Sequence, residues 1–112
     1  MTRCVFCKII SKEMPSEVVY QDAKVLVLKD IKPKAPIHLL IIPKKHIPSI
    51  DYLRKGDKGL VGELFLVAKK LAKGYKVNKI GYRLIFNVGR DAGQTVDHLH
   101  LHLLGGKKLP WA

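Results

Sequence analysis

Near the end of the chain three histidines alternate with leucines: His98-Leu99-His100-Leu101-His102-Leu103, followed by Leu104. In a β-strand successive side chains point to opposite faces, so such a run sets three imidazoles on one face and a leucine row on the other. Three stacked imidazoles make a poor core. They suit chemistry on phosphate, because near neutral pH histidine can be a nucleophile, an acid, a hydrogen-bond donor or a metal ligand. The plainer alternative is a half-buried strand with an exposed histidine row and a chance metal site. The rest of the chain bears on the choice.

The chain has two further histidines. His38 opens an apolar run, Ile37-His38-Leu39-Leu40-Ile41-Ile42, and His46 follows Pro43-Lys44-Lys45. The apolar run reads as a central strand buried on both faces and ended by Pro43. If it lies beside the histidine strand, all five histidines converge on one edge of a sheet.

The remaining elements follow from pattern. A helical turn is expected over residues 5–11, closed by Met14-Pro15. Residues 17–21 and 24–29 are β-rich and separated by Asp22-Ala23, which reads as a hairpin. Residues 30–36 form a proline-punctuated loop. One long helix begins after Asp57, its expected N-cap, and carries Leu60, Leu64, Val67, Ala68, Leu71 and Tyr75 at helical spacing. Residues 82–88 and 97–104 read as strands with a glycine-rich turn between them. The sum is a single α+β domain over residues 1–112, with a five-stranded, mostly antiparallel sheet, one long helix and short helical turns.

Composition sets bounds. With 112 residues, 47% hydrophobic and 27% charged, the chain has the make-up of a single globular domain rather than of a disordered segment. The net charge of +12 would draw polyanions. The lysines are scattered, however, and no groove-reading motif accompanies them. An anionic small substrate is therefore expected, and no specific nucleic acid. The first residues lack the apolar core of a signal peptide, and no apolar run is long enough to span a bilayer. A cytoplasmic protein without membrane contact is expected.

Cys4 and Cys7 form a C-x-x-C pair. A thioredoxin-like redox pair would need a strand in front of it, and none is visible here. The pair reads either as half of a metal site, needing two more ligands from elsewhere, or as two small buried residues.

Taken together, these residues resemble the histidine triad (HIT) family. The resemblance covers the triplet with Leu103-Leu104, the upstream Asn87-Val88-Gly89 and Ala92-Gly93-Gln94-Thr95-Val96, Ile41-Ile42-Pro43-Lys44-Lys45-His46, and the front end Cys4-Val5-Phe6-Cys7-Lys8-Ile9-Ile10. Gly105-Gly106 and Pro110-Trp111 are similar to the histidine triad nucleotide-binding (HINT) branch. The resemblance implies a HIT-like fold, a homodimer, and hydrolysis of purine nucleoside 5′-phosphoramidates through a nucleotidyl-histidine intermediate. The alternatives are a dinucleoside polyphosphate hydrolase of the Fhit-like type and a nucleotide-binding module without turnover.

Carried over residue by residue, the resemblance makes His100 the nucleophile, oriented by the carbonyl of His98 and supported by His38. His102 would bind the phosphoryl oxygens. Thr95 stands where the branch commonly has serine and would relay a proton to the leaving amine. Asn87 and Gln94 would contact phosphate, Asp30 the ribose, and Phe6, Ile10 and Ile31 the base. No catalytic metal is required. A structural zinc is implied at Cys4, Cys7, His46 and His98.

Overall fold

The protein is described by a computed structural model covering residues 4–111. Five strands form one antiparallel sheet: β1 (Val18–Gln21), β2 (Val25–Lys29), β3 (Ile37–Pro43), β4 (Tyr82–Ile85) and β5 (Leu101–Gly105), in the order β1-β2-β3-β5-β4. The helices are α1 (Val5–Ile10) and α2 (Lys58–Gly74), with short 3-10 turns at Ile50–Tyr52, Lys55–Asp57 and Arg90–Ala92. This is the expected class.

Side-chain alternation divides the core between the two faces of the sheet. Val25, Val27, Leu39, Ile41, Leu99, Leu101 and Leu103 meet Leu64, Val67, Ala68 and Ala72 of α2. On the opposite face Leu26, Leu28, Leu40 and Ile42 pack with Phe6 of α1. The short α1 covers only part of its face, and the histidine side chains share that face.

The histidine strand is shorter than the alternation suggests. Residues 97–104 read as one strand, yet the ladder begins at Leu101. The β3–β5 register pairs Ile41 with Leu101 and Leu40 with His102. Extended by one pair of residues, it would set Leu99 against Pro43, which has no N–H to donate. The Leu99 N–H instead donates to the Ile47 carbonyl at 2.6 Å, and the His98 N–H to Val96 at 2.8 Å. β4 likewise stops at Ile85 rather than residue 88, before the chain turns into the Arg90–Ala92 segment.

Asp57 directly precedes α2 but its side chain does not cap it. The buried carboxylate turns back, accepting from the Arg54 N–H at 2.9 Å and from Lys45 Nζ at 2.7 Å. The bond from Lys45, chiefly, and the bond from Arg54 lower its pKa below the ordinary 3.8. A depressed aspartate pKa adds stability above the unfolded value and loses it as the pH falls through the folded value. Asp57→Asn is therefore expected to lower the urea midpoint at pH 7. The gap from wild type should close below pH 3.8. Equal midpoints at pH 7 would exclude the contribution.

Candidate active site

His98, His100 and His102 reach the same side of the sheet, but each is fixed differently. His98 is fully buried, and its Nε2 donates to the Pro43 carbonyl at 2.8 Å. That bond leaves the Nδ1 lone pair facing α1. His100 is buried as well, and its Nδ1 donates to the His98 carbonyl at 2.7 Å. Its proton is thereby committed to Nδ1, and Nε2 keeps a free lone pair.

His102 is set by a chain of bonds from the proline loop. The Lys34 N–H donates to His38 Nδ1 at 3.1 Å, so the His38 proton sits on Nε2. That Nε2 lies 3.0 Å from His102 Nδ1 and 3.3 Å from Asp30 Oδ2. With His102 Nδ1 accepting, the His102 proton must lie on Nε2. This atom is buried and has no hydrogen-bond partner among the described residues. Natural folds rarely leave a buried donor unpaired, so it marks a place where an acceptor is received.

Burial favours the neutral form of these imidazoles. It is the main cause holding His98 and His102 down to about 4, and it also lowers His100 and His38. At His102 the nearby His100 and His38 add to the effect. At His38 the Asp30 carboxylate opposes it. The site therefore presents an uncharged nucleophile beside an uncharged donor.

His100 and His102 line a cleft of about 400 Å³, together with Thr95, Val96 and Asp30. One carboxylate oxygen of Asp30 accepts from the Lys32 N–H at 2.8 Å. Phe6 meets His100 edge-on at a centroid distance of 5.1 Å. Ile31, largely exposed, sits at the rim.

Three expected residues lie elsewhere. Ile9 and Ile10 both pack against the α1-side core, but only Ile9 also lines the cleft, with Val5 and Phe6. Gln94 is occupied with its own loop. Its Oε1 accepts from the Gly89 N–H at 2.9 Å, and its Nε2 donates to Pro48 at 2.7 Å and Val96 at 3.0 Å. Asn87, half-buried between β4 and the Arg90–Ala92 turn, does not line the cleft. Leu28, Ser16 and Lys32 were not singled out from sequence but do line it. Leu28 was accessible to alternation, since it shares a face of β2 with Leu26.

A second cluster adjoins the first. Cys4, Cys7, His46 and His98 are close enough to hold a metal. Cys4 Sγ lies 3.3 Å from His98 Nδ1 and 3.7 Å from His46 Nδ1. Cys7 Sγ lies 3.2 Å from His46 Nδ1 and 3.6 Å from His98 Nδ1. The two imidazole nitrogens are 3.1 Å apart. Four soft or borderline donors thus converge within 4.8 Å of one another.

Comparison with known proteins agrees with this geometry. Residues 3–110 match a family model described as "Scavenger mRNA decapping enzyme C-term binding". A Buchnera aphidicola protein described as an uncharacterized HIT-like protein is 47% identical over 105 residues, covering 94% of this chain and 92% of its own. The structure of a HIT family hydrolase from Legionella pneumophila superposes with a TM-score of 0.95 at 49% identity, over 97% of both chains. A histidine triad nucleotide-binding protein from Candida albicans gives 0.84 at 35% identity, covering 98% of this chain and 83% of its own.

Proposed function

Since this chain belongs to the histidine triad (HIT) family, we propose that it is a nucleotide-binding hydrolase of purine nucleoside 5′-phosphoramidates. The pairing that carries this function is the free lone pair of His100 Nε2 beside the buried, unpartnered donor of His102 Nε2. The likeness to a HIT family hydrolase and to a nucleotide-binding relative supports hydrolysis of a nucleotide-type substrate in general.

The chemistry divides into two displacements. His100 Nε2 attacks the 5′-phosphorus, and the P–N bond breaks as the amine departs. An uncharged imidazole meets less repulsion from the phosphoryl oxygens than an anionic nucleophile would. The His98 carbonyl holds the imidazole proton and disperses the positive charge that develops on the ring. His102 Nε2–H donates to a phosphoryl oxygen as charge grows there. The Thr95 hydroxyl passes its proton to the leaving amine and regains one from the water that resolves the intermediate. Water then attacks the nucleotidyl-histidine on phosphorus and frees His100. Asp30 accepts from the ribose hydroxyls, while Phe6 and Ile31 flank the base. Gln94 braces the loop that carries Thr95 through its bonds to Gly89, Pro48 and Val96. This route calls on no metal at the phosphorus.

The Cys4, Cys7, His46 and His98 cluster fits zinc. Zn–S bonds of about 2.3 Å and Zn–N bonds of about 2.0–2.1 Å in a tetrahedron put sulfur and nitrogen roughly 3.5 Å apart. The four sulfur–nitrogen separations span 3.2–3.7 Å. When bound there, zinc would supply structural cross-linking of α1 to the sheet. A reducing cytoplasm keeps such thiols available as ligands.

A homodimer belongs to the same proposal. β4 is an edge strand, and Phe65 of α2 stacks edge-on with Phe86 just beyond it. Phe65 and Leu66 are 43% and 61% exposed. An open edge beside exposed aromatic surface invites a two-fold partner. Light scattering at micromolar concentration should give twice the chain mass, and a species of 12.6 kDa would overturn the dimer.

The activity is tested with adenylated and guanylated substrates carrying P–N, P–O–P and P–S leaving groups. Preference for P–N supports the phosphoramidase. Preference for P–O–P would place the chain with dinucleoside polyphosphate hydrolases. Tight nucleotide binding without turnover would make it a binding module.

A further inference from the structure

The short helix α1 serves two sites at once. Cys4 caps it and Cys7 lies in its first turn, and both sulfurs belong to the metal-ligating cluster. Val5, Phe6 and Ile9 of the same helix form the apolar wall of the cleft. The Phe6 ring stands edge-on to His98 of the cluster, at 5.9 Å, and to His100 of the catalytic pair, at 5.1 Å. A helix of six residues has little stability of its own. Its position depends on the packing of Phe6 and on what ties its two sulfurs to His46 and His98. Neither cysteine is in a disulfide and both are partly exposed, so a small solute can reach them.

We propose that Cys4 and Cys7 are a site of reversible oxidation that controls nucleotide binding, which rests on the cleft being a nucleotide site. A hydroperoxide converts the pair into a disulfide, the metal leaves, and the α1 wall of the cleft loosens. In the first step one thiolate sulfur attacks a peroxide oxygen. The O–O bond breaks, the sulfur becomes a sulfenic acid, and the departing oxygen takes a proton from water. The second thiolate then attacks that sulfur, the S–S bond forms, and hydroxide leaves and is protonated. Two electrons have passed from the sulfurs to the peroxide. The disulfide lacks the charge that bound a divalent cation, and two imidazoles alone hold it poorly.

The consequence falls on binding more than on bond breaking. His98 keeps its bond to the Pro43 carbonyl whether or not its Nδ1 is ligated, so its own carbonyl still orients His100. What moves is the wall against which the base lies.

The test treats the reduced, zinc-loaded chain with hydrogen peroxide. It follows metal release with a chelating dye, intact mass, and AMP affinity by calorimetry. The expected result is release of the metal together with a mass loss of about 2 Da for the two thiol hydrogens. The AMP dissociation constant should rise at least about fivefold. Dithiothreitol and added zinc should reverse all three. The Cys4→Ser/Cys7→Ser protein should bind AMP as weakly as the oxidised chain and ignore peroxide. Disulfide formation and metal loss with unchanged AMP affinity would overturn the coupling. So would oxidation of the cysteines to oxygen adducts without a disulfide. Failure of the reduced, loaded chain to bind AMP at all would overturn the nucleotide site itself, and the coupling with it.

Discussion

Replacing His100 with alanine is expected to lower turnover of an adenosine phosphoramidate by at least about a thousandfold, as removal of a covalent nucleophile does elsewhere. The affinity for AMP should stay within about tenfold of wild type, equivalent to 1.4 kcal/mol. The two readouts separate because the residues proposed to flank the base and ribose are carried by other elements than His100. Phe6, Asp30 and Ile31 stand along the cleft wall. The reason for the large loss is the tautomer. The His98 carbonyl, 2.7 Å from His100 Nδ1, commits the proton to that side and leaves Nε2 as the free lone pair in the cleft. His102 cannot take over, because its Nδ1 faces His38 and its Nε2 carries the proton. His102→Ala should therefore cost less, about 10²–10³ in turnover, as loss of one donor to a developing oxyanion does. Rapid acid quench of the wild type during turnover should trap a nucleotidyl adduct by intact mass, and His100→Ala should trap none. Near-wild-type turnover in a folded His100→Ala protein would remove His100 from the nucleophile role.

Much of this arrangement was legible in the chain, for reasons that can be named. The histidine–leucine alternation put three imidazoles on one face because period-two patterning survives even where the ladder does not form. Leu99, Leu101 and Leu103 all face α2, although only the last two lie in β5. The alternation does not show the strand start, because it runs straight past the point where Pro43 would face Leu99. A missing donor on a neighbouring strand cannot be seen until the register is known. By its type and place Asp57 reads as a helix cap. Its carboxylate found a stronger partner in Lys45, twelve residues upstream. Gln94 and Asn87 came from resemblance, which gives roles without hydrogen-bond partners, and Gln94 has its amide engaged by Gly89, Pro48 and Val96. That Ile9 rather than Ile10 lines the cleft was beyond helical spacing, since Ile9 lies four residues from Val5 and Ile10 four from Phe6, and both of those line it. The buried donor of His102 was not legible either, since it exists only because the Lys34 N–H sets the tautomer of His38.

Protein purified without chelator or histidine tag should carry about one zinc per chain. Cys4, Cys7, His46 and His98 would fill all four positions of a tetrahedral zinc, so none would stay open for a reacting water. The bond from His98 Nε2–H to the Pro43 carbonyl fixes the ring and leaves Nδ1 as the ligating atom. Cys4→Ser/Cys7→Ser should lose the metal. Its melting temperature should fall by roughly 10 °C, because two ties from α1 to the sheet go together. Turnover at saturating substrate should remain measurable, since His100 Nε2 and His102 Nε2 lie outside the ligand set. The loss should appear in substrate affinity, where α1 forms the wall. A wild-type chain that stays free of zinc after supplementation would refute the metal site. A folded double mutant with no turnover at any substrate concentration would show that the metal does more than hold α1 in place.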